Sequence, residues 1–136
     1  MGRGGLPAVQ ASGHMISHRQ AVARVRYWRN VLRLGAWGIE VEADPPTDAD
    51  GAADCAAKPE YLIAQLWFDL KALDKPGELD AAVVHELLHL YCWKTVHAAE
   101  TMAKGDPVLL EWIRTEEEAL VTSLERLVLH LTKEAK

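Results

Sequence analysis

Leu79-Asp80-Ala81-Ala82-Val83-Val84-His85-Glu86-Leu87-Leu88-His89-Leu90-Tyr91 is the stretch on which the reading of this chain turns. It holds neither glycine nor proline, and its apolar flanks read as a buried helix. Four residues apart on a helix, His85 and His89 lie on one face about one turn apart. Both imidazoles can therefore reach a single metal ion. Glu86 stands beside the first of them, where a carboxylate can take a proton from metal-bound water. The His-Glu-x-x-His spacing fits zinc-dependent hydrolysis.

A catalytic zinc keeps three protein ligands and one open position, so a third ligand is needed from elsewhere. Downstream, Asp106 caps a last helix, Pro107 takes its first position, and the helix runs from Val108 to about Thr132. It carries Glu116-Glu117-Glu118 inside an apolar pattern. At about 100° per residue, Leu109, Leu110, Ile113, Leu120, Val121, Leu124, Leu127, Val128 and Leu131 define the expected buried stripe. Glu117 falls within ~30° of its centre, Glu116 at ~70°, and Glu118 points well away. Glu117 is therefore the expected third ligand, because a bare buried carboxylate costs several kcal/mol. Cys92, three residues past His89, reads as a core thiol. Position 95 is Thr, so the metzincin spacing of a third histidine is absent. His97 is the runner-up ligand or an oxyanion-stabilising group, and His130 lies more than three turns past Glu117, too far to share its site.

Upstream, Ser17 caps a helix expected over about residues 18–34, with Val22, Val25, Trp28, Val31 and Leu32 at helical spacing and Gly35 as its stop. Trp37 to Glu42 alternates apolar and polar residues, as a half-buried strand does. Residues 43–59 are rich in Pro and Asp and read as one long loop. Asp44, Asp48, Asp50 and Asp54 within it lack the ligand pattern of a calcium loop. Tyr61 to Leu70 reads as a second strand, and Asp74-Lys75-Pro76-Gly77 as a turn. Glu78 or Asp80 then puts negative charge at the start of the motif helix. That helix is expected to end between Trp93 and Met102. The predicted order is helix, strand, strand, motif helix, glutamate helix, an α+β domain over residues 17–136. Residues 1–16, small and Gly-rich, are expected to be flexible, with Ser12-Gly13-His14-Met15 a possible expression scar. His14 and His18 read as solvent histidines, and the five tryptophans as core or core-edge residues.

At 136 residues, 49% of them hydrophobic, the chain has material for one core. Its formal net charge of −5 argues against a nucleic-acid or anionic-membrane binder. Arg19, Arg24, Arg26, Arg29 and Arg33 make the first helix locally basic, which reads as a solvated face. No apolar run reaches transmembrane length. Cys55 and Cys92 form neither a disulfide framework nor a C-x-x-C zinc pair, so a reducing cytoplasm is the expected setting.

The segments Val84-His85-Glu86-Leu87-Leu88-His89 and Glu117-Glu118-Ala119-Leu120-Val121 resemble the zincin metallopeptidase superfamily, in particular the gluzincin type. The likeness is to minimal-scaffold minigluzincins and to phage and prophage metallopeptidase-like proteins, and it covers roughly Ser17 to the C-terminus. It implies Zn²⁺ held by His85, His89 and Glu117, with Glu86 as general base for hydrolysis of a peptide or protein substrate. It also implies that the strand before the motif helix is the edge that receives an extended peptide. In this chain that would be Tyr61 to Leu70, with Gln65, Trp67 and Asp69 beside the cleft. Tyr91 and His97 are the candidates for transition-state stabilisation, and Asp69 and Asp80 for orienting a ligand histidine. The chain departs from larger gluzincins in lacking a second subdomain. Two rival readings are a non-catalytic zincin-fold binding module or phage structural or regulatory component, and a helical interaction protein with an accidental motif. A monomer or weak dimer is expected.

Overall fold

The computed structural model describes residues 16–46 and 51–134. It is an α+β fold of four helices and one small mixed sheet. Helix α1 (His18–Val31) begins in a reciprocal capping box. Ser17 Oγ accepts from the Gln20 amide at 3.1 Å, and Gln20 Oε1 accepts from the Ser17 amide at 2.8 Å. Both orphan amides at that helix end are thereby satisfied. Ala21, Val25 and Trp28 are its buried face. The helix ends at Val31, four residues before Gly35: Arg33 takes the left-handed conformation (φ 59). The Leu34 amide donates to the Arg29 carbonyl and the Arg33 amide to the Asn30 carbonyl, a Schellman closure in which Leu34 is buried. Ile16, expected in the loose N-terminal segment, is 4% exposed and belongs to the core. The possible scar at residues 12–15, with His14, lies outside the described residues, as do Asp48 and Asp50.

The sheet holds one strand more than expected. Strands β1 (Gly38–Glu42), β2 (Ala53–Lys58) and β3 (Ile63–Phe68) lie in the order β1-β3-β2. β1 pairs parallel to β3, with Gly38 opposite Ile63. β2 pairs antiparallel to β3, with Cys55 opposite Leu66. β2 lies inside the stretch expected as a loop, and β3 is shorter than the expected strand. A short 3-10 turn (Pro59–Tyr61) and a left-handed Leu62 connect β2 to β3. β3 is therefore the central strand, with both its hydrogen-bonding edges used. Its inward residues Ala64, Leu66 and Phe68 are buried, and Gln65 and Trp67 face the other way.

Helix α2 (Glu78–Tyr91) packs against the sheet, α1 and α4. Its Val83, Val84, Leu87 and Leu88 are 0–2% exposed. Asp80 in its first turn accepts from Arg24 Nε at 2.7 Å, Arg24 Nη2 at 3.2 Å and Trp28 Nε1 at 2.8 Å, pinning α1 to α2. Asp80 thus ties two helices together and does not orient a ligand histidine. Cys92 ends α2, and a separate helix α3 (Trp93–Ala103) follows, ending at left-handed Lys104. Asp106 Oδ1 accepts from the Val108 amide at 2.9 Å and opens α4 (Pro107–Glu134) at Pro107, as its sequence suggests. α4 returns across α2, which brings its glutamates to the two histidines.

Candidate metal centre

His85 and His89 project from the α2 face that meets α4, with ring centroids 5.1 Å apart. Each imidazole is held from behind by a carboxylate of α4. Glu125 Oε1 lies 2.9 Å from His85 Nδ1, and Glu117 Oε2 lies 2.6 Å from His89 Nδ1. Both Nε2 atoms turn toward Glu118, at 3.2 Å from His85 and 3.0 Å from His89, each to a different oxygen. His85, His89 and Glu118 form a group that could hold a metal ion, with one ligand atom from each, all within 4.8 Å of one another. The donors fit such an ion. Ligand atoms bound about 2.1 Å from a tetrahedral zinc stand ~3.4 Å apart, close to the nitrogen–oxygen separations here. Engaging Nδ1 with a carboxylate fixes the tautomer that leaves Nε2 free to coordinate. Glu117 and Glu118 line one cavity in which, among the described residues, His85 and His89 are the only basic side chains.

The group that could hold an ion contains Glu118 in place of the expected Glu117, whose Oε2 lies 2.6 Å from His89 Nδ1. The buried face of α4 differs in phase from the expected stripe. Leu109, Leu120, Leu127 and Leu131 were counted in the buried stripe but are 42–55% exposed. Leaving them out moves the centre ~30° toward Val121. The α4 residue fully inside is Val121. Around it, Glu118 and Glu125 fall ~60° and ~40° to one flank and Glu117 ~40° to the other. All three thus reach the histidine face of α2. Glu125 went unnoticed because nothing in sequence distinguishes a lone glutamate two turns past a triple one.

Glu86 lines the same cavity, of about 430 Å³, with His85, His89, Asp54, Cys55 and Trp93 among its walls. Burial raises the Glu86 carboxyl above its ordinary value. His89 and His85 pull it down, and Asp54 and Glu118 add to the rise. At His85 burial opposes charging, but the hydrogen bond to Glu125 and the charges of Glu86, Glu118 and Glu125 outweigh it, so its pKa is raised. Burial, with Glu86 and Asp54 nearby, pushes the Cys55 thiol up to about 12.

The other expected site residues stand apart. Gln65 and Trp67 are on the central strand and line a separate cavity on the outer face of the sheet. Asp69 caps the turn after β3, accepting from the Lys71 amide at 3.2 Å. Neither these residues nor β3 supplies a free edge. That edge is β2, whose Ala53, Cys55 and Ala57 line the metal-site cavity. Tyr91 is 60% exposed and absent from the cavity wall. His97 packs its ring 5.9 Å from Trp93 outside that wall. His130 is exposed on α4. Asp44 and Asp54 join no metal-holding group among the described residues, and no described helix is long and apolar enough to cross a membrane. No protein-family model, curated protein or solved structure matches the chain.

Proposed function

We propose that the protein is a zinc-dependent metallopeptidase of the gluzincin type, with His85, His89 and Glu118 as the metal ligands and Glu86 as the general base. The observation that carries this reading is the direction of four ring nitrogens. Both Nδ1 atoms are tied to carboxylates, and both Nε2 atoms meet at Glu118. Zinc bound there would bring a water's pKa toward neutrality and polarise a carbonyl. Glu86, next in sequence to His85 and facing the same cavity, takes the water's proton and passes it to the departing amine. Glu117 and Glu125 keep the rings from rotating as charge changes around them. The outer strand β2 offers main-chain groups beside the cavity, where an extended peptide can add as a further strand. Affinity then comes from main-chain hydrogen bonds, and Ala57, Leu90 and Trp93 supply an apolar wall for a side chain.

The test is cleavage of a mixed peptide library by zinc-loaded protein and by Glu86→Gln. Cleavage should fall about 10²- to 10⁴-fold in the variant while bound zinc is unchanged. Equal cleavage by both proteins contradicts the assignment of Glu86. One observation favours a second reading, a metal-holding binding module without turnover. With Tyr91 and His97 outside the cavity, no phenol and no third imidazole among the described residues stands ready to stabilise an oxyanion. That reading predicts stoichiometric zinc and no cleavage by either protein.

A further inference from the structure

Apart from the metal centre, α4 carries a second apolar face that the fold leaves uncovered. Leu109, Leu120, Leu127 and Leu131 are 42%, 46%, 51% and 55% exposed, and Trp112 is 63% exposed. At about 100° per residue, the four leucines fall within ~20° of one line along the helix, a stripe of ~33 Å. A monomer in water gains nothing by displaying such a line. Beside its first half, α3 and α4 enclose an apolar groove of about 220 Å³, walled by Val96, Ala99, Trp112, Ile113 and Leu120.

We infer that this face binds a second copy of the chain, the two α4 helices packing antiparallel about a twofold axis near position 121. A twofold interface must be complementary to itself: if residue i meets residue j, then j meets i. The stripe has that property. An axis near 121 sets Leu120 beside its own mate. It lays Leu127 and Leu131 of one copy against the first turns of the other, where Leu109, Trp112 and the groove lie. The charges obey the same operation. Glu116 and Arg126 are exposed on the same side of the stripe, ~35° and ~115° from its centre, and their positions average to 121. The axis therefore brings Glu116 of each copy opposite Arg126 of the other, twice over. In antiparallel helix pairs, flanking charges of this kind select orientation and register. A lipid surface is a poorer occupant, because interfacial helices carry Lys and Arg beside the apolar face. Here Glu116 and Glu117 flank the stripe, ~35° and ~65° from its centre. The four leucines and Trp112 lie outside the metal-site cavity.

Sedimentation velocity on the full chain, from micromolar to near-millimolar concentration, tests the inference, with zinc content and circular dichroism as checks on folding. The wild type should show a reversible monomer–dimer equilibrium. Leu127→Glu should abolish the dimer, and Leu131→Gln should weaken it, both keeping the zinc content of the parent. Glu116→Arg sets like charges against each other at two places and should raise the dimer Kd about tenfold. Glu116→Arg combined with Arg126→Glu should restore it. A chain that stays monomeric throughout, or a dimer indifferent to Leu127→Glu, overturns the inference. Failure of the charge exchange to restore pairing overturns the antiparallel register.

Discussion

Replacing Glu125 by alanine removes the carboxylate that holds His85 through Nδ1 and touches no proposed ligand atom. The bond is 2.9 Å long, between side chains 24% and 20% exposed, so water screens it only in part. Loss of such an orienting carboxylate lowers metal affinity by about 10- to 100-fold, ~1.4–2.7 kcal/mol. Glu117→Ala should lose at least as much, since its bond to His89 is 2.6 Å between groups 20% and 19% exposed. Glu118→Ala should lose more than either, because it removes a donor from the coordination sphere itself. Glu111→Ala, on an exposed face of the same helix, should leave affinity unchanged. Zinc competition against a chromophoric chelator reads all four constants without any substrate. The expected order of loss is Glu118, then Glu117 with Glu125, then Glu111. If Glu117→Ala abolishes binding while Glu118→Ala leaves it intact, the assignment of ligand and orienting carboxylates is reversed and the reasoning fails.

Two further outcomes follow from the fold. Arg33 holds a left-handed backbone that costs a side-chain-bearing residue ~1–2 kcal/mol, and glycine's extra freedom in the unfolded chain offsets part of the relief. Arg33→Gly should therefore stabilise by up to ~1 kcal/mol, raising Tm by about 4 °C in calorimetry; a lower Tm contradicts the strain argument. The Cys55 thiol, pushed up to about 12 by burial, should resist iodoacetamide at pH 8 in the folded chain and react once the chain is unfolded. A thiol whose folded pKa is raised leaves stability intact below the unfolded pKa. Above it the unfolded thiol ionises first, so stability should fall with rising pH by at most ~1.4 kcal/mol per unit. Rapid labelling of Cys55 in folded protein, or stability flat between pH 9 and 11, speaks against a buried thiol.

Much of the frame was legible because local chemistry spelled it out. The cap at Ser17, the cap at Asp106 with Pro107 behind it, and the alternation of Ala64, Leu66 and Phe68 each rest on residues close in sequence. His85 and His89 follow from helical spacing alone. β2 was not legible: Ala53-Asp54-Cys55-Ala56-Ala57-Lys58 has little intrinsic strand preference and forms a strand through its partner β3. Missing it also made β3 look like an edge. That Glu118, and not Glu117, lies between the two Nε2 atoms was hidden for a related reason. Hydrophobicity does not say which apolar residues of α4 face the core, and the leucines that face outward pulled the count off Val121. Both features rest on long-range pairing, which a local pattern does not carry.

The most direct test is native mass spectrometry of the chain purified without chelator and supplied with zinc, alongside His89→Ala and Glu118→Ala. The account predicts one zinc per chain in the parent and none retained by either variant after gel filtration in metal-free buffer. A parent chain that emerges without zinc, or a Glu118→Ala protein that keeps a full complement, contradicts it.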